Sequence, residues 1–132
     1  VAVMARAGAP VICHADLYAD NFLRDASGTL WLLDWDVACA FPPMFDLGVM
    51  AVGYLRPDAP EFETRVNALL RAYFGDTRVP ACAELYESAA VAALCWAAWR
   101  FRQFEMRGTN QGRLGTYKML WDIANRLRRR TV

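Results

Sequence analysis

The residues with the most chemistry to offer lie together near the start of the chain. They are His14-Ala15-Asp16-Leu17-Tyr18-Ala19-Asp20-Asn21, followed thirteen residues after Asn21 by Asp34 in Leu32-Leu33-Asp34-Trp35-Asp36. Phosphoryl transfer asks for this combination. A carboxylate must sit beside the attacking hydroxyl to orient or accept its proton, and oxygen ligands must hold the metal that neutralises charge on the phosphates. Mg2+ prefers carboxylates, amide oxygens and water over imidazole or thiolate. Asp16, Asn21 and Asp34 supply three oxygen-bearing side chains of the kinds required.

These three side chains need a local fold that brings Asp34 back to the loop carrying Asp16 and Asn21. Two apolar runs, Phe22 to Arg24 and Leu30 to Leu33, flank Asp25-Ala26-Ser27-Gly28, a turn sequence. Together they predict a hairpin whose second strand ends at Asp34. Val11-Ile12-Cys13 reads as a short buried strand leading into the loop. After the hairpin no further strand is expected, and Pro42-Pro43 breaks the chain. Helices are expected from Asp46 to about Tyr54, from Glu61 and Glu63 to Phe74, from Glu84 to about Met106, and from about Leu114 to Arg129. Asp46 can cap or open the first of them.

The segment His14 to Asn21 matches the H-x-D-x-x-x-x-N catalytic loop of the choline kinase and aminoglycoside phosphotransferase superfamily. Leu33-Asp34-Trp35-Asp36 resembles the metal-binding motif of that family. The resemblance is strong over His14 to Gly48 and loose afterwards. It implies a mainly α (α+β) fold: a protein-kinase-like C-terminal lobe, with a helical body behind a small catalytic β-hairpin. It also implies an ATP- and Mg2+-dependent kinase that phosphorylates the hydroxyl of a small molecule. Asp16 would then be the catalytic base, and Asn21 and Asp34 the Mg2+ ligands. Asp46, in Phe45-Asp46-Leu47-Gly48, resembles the aspartate that opens the next helix and braces the catalytic loop. His14 is read as a structural residue bonding backbone near the loop. Asp36 stays open between support of the metal site and contact with substrate, and Asp20 is read as solvent-facing.

The acceptor side is less determined. Trp96 and Trp99 are three residues apart on one predicted helical face, with Arg100 and Gln103 a turn further on. Tyr117 and Trp121 share a face of the last helix. Aromatic faces attract a quaternary ammonium group, and Trp96 and Trp99, three apart and followed by Gln103, resemble the W-x-x-W helix of choline kinases. These rings can equally be core. A choline- or ethanolamine-like acceptor is favoured. An aminoglycoside acceptor would call instead for an acidic cleft, for which Asp36, Glu84, Glu87 and Glu105 form no obvious cluster. A non-catalytic kinase-fold interaction module is the competing reading from another class. A hydrolase is disfavoured, because no serine or cysteine nucleophile stands at a strained turn near Asp16 and His14.

A kinase of this superfamily also carries an N-terminal nucleotide-binding lobe. Nothing in Val1 to Ala9 supplies it, and Gly108, Gly112 and Gly115 are read as lying between helices rather than forming a phosphate loop. The 132 residues are therefore read as one domain, the catalytic and acceptor-binding lobe, inactive by itself and prone to self-association through apolar surface the other lobe would cover. A 56% hydrophobic composition fits that reading. A net charge of +1 gives no general pull toward nucleic acid. The arginines Arg126, Arg128, Arg129 and Arg130 read as a solvated helix end suited to the helix dipole. No apolar run is long enough for a membrane span. Cys13, Cys39, Cys82 and Cys95 show no zinc-ligand spacing and read as four buried free thiols, which favours the cytoplasm.

Overall fold

The computed structural model describes residues 9–76, 82–107 and 111–131. In chain order the elements are β1 (Val11–Cys13), a short 3-10 turn (Ala19–Asn21), β2 (Phe22–Arg24), β3 (Leu30–Leu32), β4 (Cys39–Phe41), α1 (Met44–Gly53), α2 (Phe62–Phe74), α3 (Cys82–Arg107) and α4 (Gln111–Arg129). This is the helical body with a small β portion in front that the sequence implies.

The predicted hairpin forms. β2 and β3 pair antiparallel with Phe22 opposite Leu32, Leu23 opposite Trp31 and Arg24 opposite Leu30. Asp25 organises the turn. Its Oδ1 accepts the Ser27 and Thr29 backbone N–H groups at 2.9 and 3.0 Å and the Ser27 hydroxyl at 2.6 Å, while Oδ2 accepts the Trp31 indole N–H at 2.8 Å. Those donors, the Ser27 hydroxyl first, hold the Asp25 carboxyl down at about 2. Gly28 takes the positive φ (+88°) that the turn requires.

The expectation that no strand follows the hairpin is corrected by β4. It pairs antiparallel with β1, Cys13 opposite Cys39 and Val11 opposite Phe41. This second ribbon ties the entrance of the loop to the chain just ahead of α1. Helix α1 begins at Met44, two residues before Asp46, and no side chain caps it. The capping role considered for Asp46 is therefore absent, and its carboxylate goes elsewhere.

Alanine explains how the helices pack. Along α3, Leu85, Ala89, Ala93 and Ala97 repeat at four-residue spacing and are buried, with Ala90 and Ala92 beside them. Small side chains let α1 and α4 approach α3 closely. At Gly48 the approach is closest: a Cβ there would lie 2.6 Å from the backbone carbon of Ser88. Leu47 and Ala51 from α1, Phe62, Val66 and Leu70 from α2, and Leu120, Ala124 and Leu127 from α4 complete this core. Each fully buried large side chain contributes roughly 1.5–3 kcal/mol. A second cluster, Cys13, Leu17, Phe45, Val49 and Ala92, sits under the loop, with Phe22, Leu32 and Phe41 packed on it.

Several details depart from the sequence reading. Val11-Ile12-Cys13, read as a buried strand, buries only Cys13, while Val11 and Ile12 are exposed. Of the four thiols read as buried, only Cys13 is; Cys39 and Cys82 are half-buried and Cys95 is exposed. Gly112 and Gly115 lie within α4 rather than between helices, and Gly108 lies outside the described residues. Arg130 is not simply solvated: its guanidinium lies over the rings of Phe62 and Tyr86, 5.2 and 6.0 Å from their centroids, and 3.7 Å from Glu63. Among the described residues no helix is long and apolar enough to cross a membrane.

Candidate functional site

The loop after β1 is built around a residue far away in sequence. Asp46, in the first turn of α1, accepts the backbone N–H of His14 on Oδ2 and that of Ala15 on Oδ1, both at 2.8 Å. Bonds from backbone N–H to an ionised carboxylate are among the stronger hydrogen bonds a protein makes. They hold a conformation that needs holding, because Ala15 sits at φ +67°, where a side chain costs on the order of 1 kcal/mol or more.

His14 is buried and spans the site. Its Nδ1 accepts the Asp16 backbone N–H at 3.2 Å, which leaves Nε2 to carry the proton and donate to the Leu33 carbonyl at 2.7 Å. Trp35 packs edge-on against the imidazole at 4.8 Å. The ring thus ties the backbone of Asp16 to the backbone immediately before Asp34. Leu33 is held from the other side too, its N–H donating to the Asn21 carbonyl at 2.9 Å. Asp34 follows at φ +62°, a second non-glycine residue in the left-handed region, at the end of a hairpin fixed by those two bonds. Non-glycine residues in that region cluster at functional sites, where surrounding contacts over-determine them.

Asp16 and Asn21 meet directly. The Asn21 side-chain amide donates to the Asp16 backbone carbonyl at 2.8 Å and to its carboxylate Oδ2 at 3.1 Å. Backbone bonds from Tyr18 N–H to Asp16 O (2.8 Å) and from Asn21 N–H to Tyr18 O (3.0 Å) close the loop between them. With its N–H groups turned to Asp16, Asn21 directs its carbonyl oxygen the other way. That oxygen and the exposed Asp34 carboxylate are hard donors of the number and kind Mg2+ takes from a protein while keeping its waters and phosphate ligands. Among the described residues no group of three or more His, Cys, Asp or Glu gathers as a metal cluster. By donor chemistry alone, an amide oxygen and a carboxylate suit Mg2+ better than an ion that prefers thiolate or imidazole. Asp36 and Asp20 are exposed.

The aromatic residues considered for the acceptor make different contacts. Trp96 is half-buried and stacks on Tyr18, with centroids 4.4 Å apart and planes at 29°. Trp99 is exposed and carries the Arg100 guanidinium 4.9 Å above its ring. Tyr117 meets Phe101 edge-on at 5.2 Å. Tyr117 and Trp121 line an open depression of about 480 Å³ with Lys118 and Asp122. Gln103 is half-buried on α3.

Tyr18 and the backbone of Leu33 were not singled out from the sequence. A bulky aromatic ring between Asp16 and Asn21 was the available signal for Tyr18. Burial pushes its phenol up to about 12, against an opposing effect of Arg100 and with smaller contributions from Asp16 and Tyr54.

Residues 2–86 match the phosphotransferase enzyme family. The fold is similar to that of Plasmodium vivax ethanolamine kinase, with a TM-score of 0.74 and 15% sequence identity, over 99% of this chain and 38% of that one. The chain thus spans well under half the length of that kinase, and at this identity the likeness speaks to fold. With the family matched across most of the chain, and across the whole of the loop and hairpin described above, this protein belongs to the phosphotransferase enzyme family.

Proposed function

We propose that this chain is the catalytic and acceptor-binding lobe of a small-molecule kinase that moves the γ-phosphate of ATP to an acceptor hydroxyl. The observation that carries the reading is the direct contact of Asn21 with Asp16 in a loop pinned by Asp46 and tied through His14 to the backbone beside Asp34. So much fixed geometry around one carboxylate and two oxygen donors suits a reaction whose catalysis is mainly positioning and charge neutralisation.

Asp16 orients the acceptor hydroxyl and takes its proton late in the transfer. Asn21 holds the Asp16 carboxylate in place through Oδ2, and His14 fixes the backbone on which that carboxylate stands. Asn21 and Asp34 would hold Mg2+, which when bound supplies charge neutralisation at the phosphates. Asp46 braces the loop and Asp36 supports the metal side of the site. ATP would be shared with an N-terminal lobe, which would also cover exposed apolar residues such as Ile12 and Trp31; without that cover the chain would self-associate. The reading places the protein in the cytoplasm, where ATP is available.

The favoured acceptor is an amino alcohol of the choline or ethanolamine class, received near Trp99, Gln103, Tyr117 and Trp121. The fold shared with an ethanolamine kinase and the exposed rings on α3 and α4 support this choice. The test is to incubate the complete gene product with ATP, Mg2+ and a panel of choline, ethanolamine, thiamine, homoserine and several aminoglycosides. Phosphorylation of an amino alcohol is expected. Transfer to an aminoglycoside alone would keep the catalytic assignment and overturn the acceptor. No transfer together with no Mg2+-dependent ATP binding would favour a kinase fold used as an interaction module.

A further inference from the structure

Asp46 anchors only the entrance of the catalytic loop, at His14 and Ala15. The middle of the loop has a separate anchor. Tyr18 lies between Asp16 and Asn21, and both of its backbone polar groups are used inside the loop, its N–H on the Asp16 carbonyl and its carbonyl under the Asn21 N–H. Its ring leaves the loop and stacks on Trp96 of α3 at 4.4 Å. Trp96 in turn packs against both hydrophobic clusters, so it is set by the helical body. The end of α1 closes the pair: a Cβ on Gly53 would lie 3.7 Å from the Tyr18 ring and 3.8 Å from the Trp96 ring. Any movement of Trp96 is therefore passed to the residue that links the Asp16 carbonyl to the Asn21 backbone.

We propose that Trp96 is a positioning residue: through Tyr18 it sets the placement of Asp16 and Asn21, and it does not form a wall of the acceptor site. The inference rests on the loop being catalytic. Two observations favour it over an acceptor contact. Trp96 stacks on a residue of the loop itself, whereas Trp99, one turn further along α3, is the exposed ring. The nearby cation is also the protein's own, since Arg100 lies over Trp99 and its charge acts on the Tyr18 phenol.

The test uses the complete gene product with ATP, Mg2+ and whichever acceptor the panel identifies. Trp96→Ala is expected to lower kcat by roughly 30-fold or more, because a displaced base loses the positioning that catalysis depends on. The acceptor KM should stay within about 3-fold. Trp96→Phe, which keeps a ring under Tyr18, should restore most of kcat. Tyr18→Ala breaks the same stack from the loop side without opening the helical core. It should reproduce the Trp96→Ala signature, and the double variant should be no worse than either. A raised acceptor KM with unchanged kcat in Trp96→Ala would overturn the proposal and make Trp96 an acceptor contact.

A readout independent of turnover is the Asn21 side-chain amide in 15N-labelled protein. Its protons should be shifted and slow to exchange in the wild type and in Trp96→Phe, and should collapse to free-amide behaviour in Trp96→Ala and Tyr18→Ala. An unchanged Asn21 amide in both folded alanine variants would overturn the proposal. If the wild type transfers no phosphate, the function proposed above fails, and the amide spectrum still decides this inference.

Discussion

Replacing Asp46 with alanine removes two acceptors at once and leaves the N–H groups of His14 and Ala15 facing an apolar methyl. Both bonds are 2.8 Å, partly buried, and made to a carboxylate. A hydrogen bond to a charged group contributes about 1.5–3 kcal/mol. Two of them give an upper range near 6 kcal/mol, and water entering beside the half-buried carboxylate reduces the expected loss to about 3 kcal/mol. At this chain length that corresponds to a fall in Tm on the order of 10 °C. The same change frees the left-handed turn at Ala15 and lets Asp16 move, so kcat of the complete enzyme should fall by roughly 100-fold. Asp46→Asn keeps the shape but offers one oxygen and one NH2, so it should rescue less than half of the stability. The assays are thermal denaturation and hydrogen exchange at the His14 and Ala15 amides, which should lose protection before the α3 core does. A Tm within about 2 °C of wild type with both amides still protected would refute the bracing argument.

Two further predictions follow from packing and burial. Gly48→Ala places a Cβ 2.6–2.8 Å from the backbone of Ser88 and Ala89, where no side chain can yield. It should cost about 3 kcal/mol or prevent folding. Gly53→Ala meets only van der Waals distances and should stay within about 1 kcal/mol of wild type by thermal denaturation. Tyr18 is held up at about 12 by burial, so the folded state keeps its phenolic proton over a range where the unfolded chain gives it up. Stability from this group is therefore intact below about pH 10 and is lost as pH rises from about 10 toward 12. Tyr18→Phe should flatten that part of the stability–pH curve, and a curve that keeps its alkaline slope would place the burial elsewhere.

The β2–β3 hairpin was legible because its signals are local: Asp25-Ala26-Ser27-Gly28 between two apolar runs, all within a dozen residues. The ribbon of β1 with β4 was not, because Cys13 and Cys39 are joined across 26 residues and Cys39-Ala40-Phe41 has neither the length nor the alternation of a strand. The helices were legible from composition and breakers, yet α1 starts two residues early because the Pro42 carbonyl, which accepts the Phe45 N–H at 2.9 Å, begins the first turn without any side-chain cap. Asp16, Asn21 and Asp34 could be picked out by residue type and spacing. What spacing could not give was the hub that joins them, because it runs through the His14 ring and the Leu33 backbone, and a backbone carbonyl has no residue type. The Tyr18–Trp96 stack was hidden for a related reason: its two rings are 78 residues apart and meet beside Gly53 at the end of α1. Burial of thiols was misjudged at Cys95, which falls on the outer side of the alanine-lined helix.

The central claim, that Asp16 is the base of a phosphoryl transfer, is tested most directly by Asp16→Asn in the complete gene product. The substitution keeps the volume and leaves an oxygen for the Asn21 amide, so folding and ATP binding should be nearly unchanged. Turnover with the identified acceptor should fall by about 100-fold or more. Near-normal kcat in a folded Asp16→Asn protein would contradict the account.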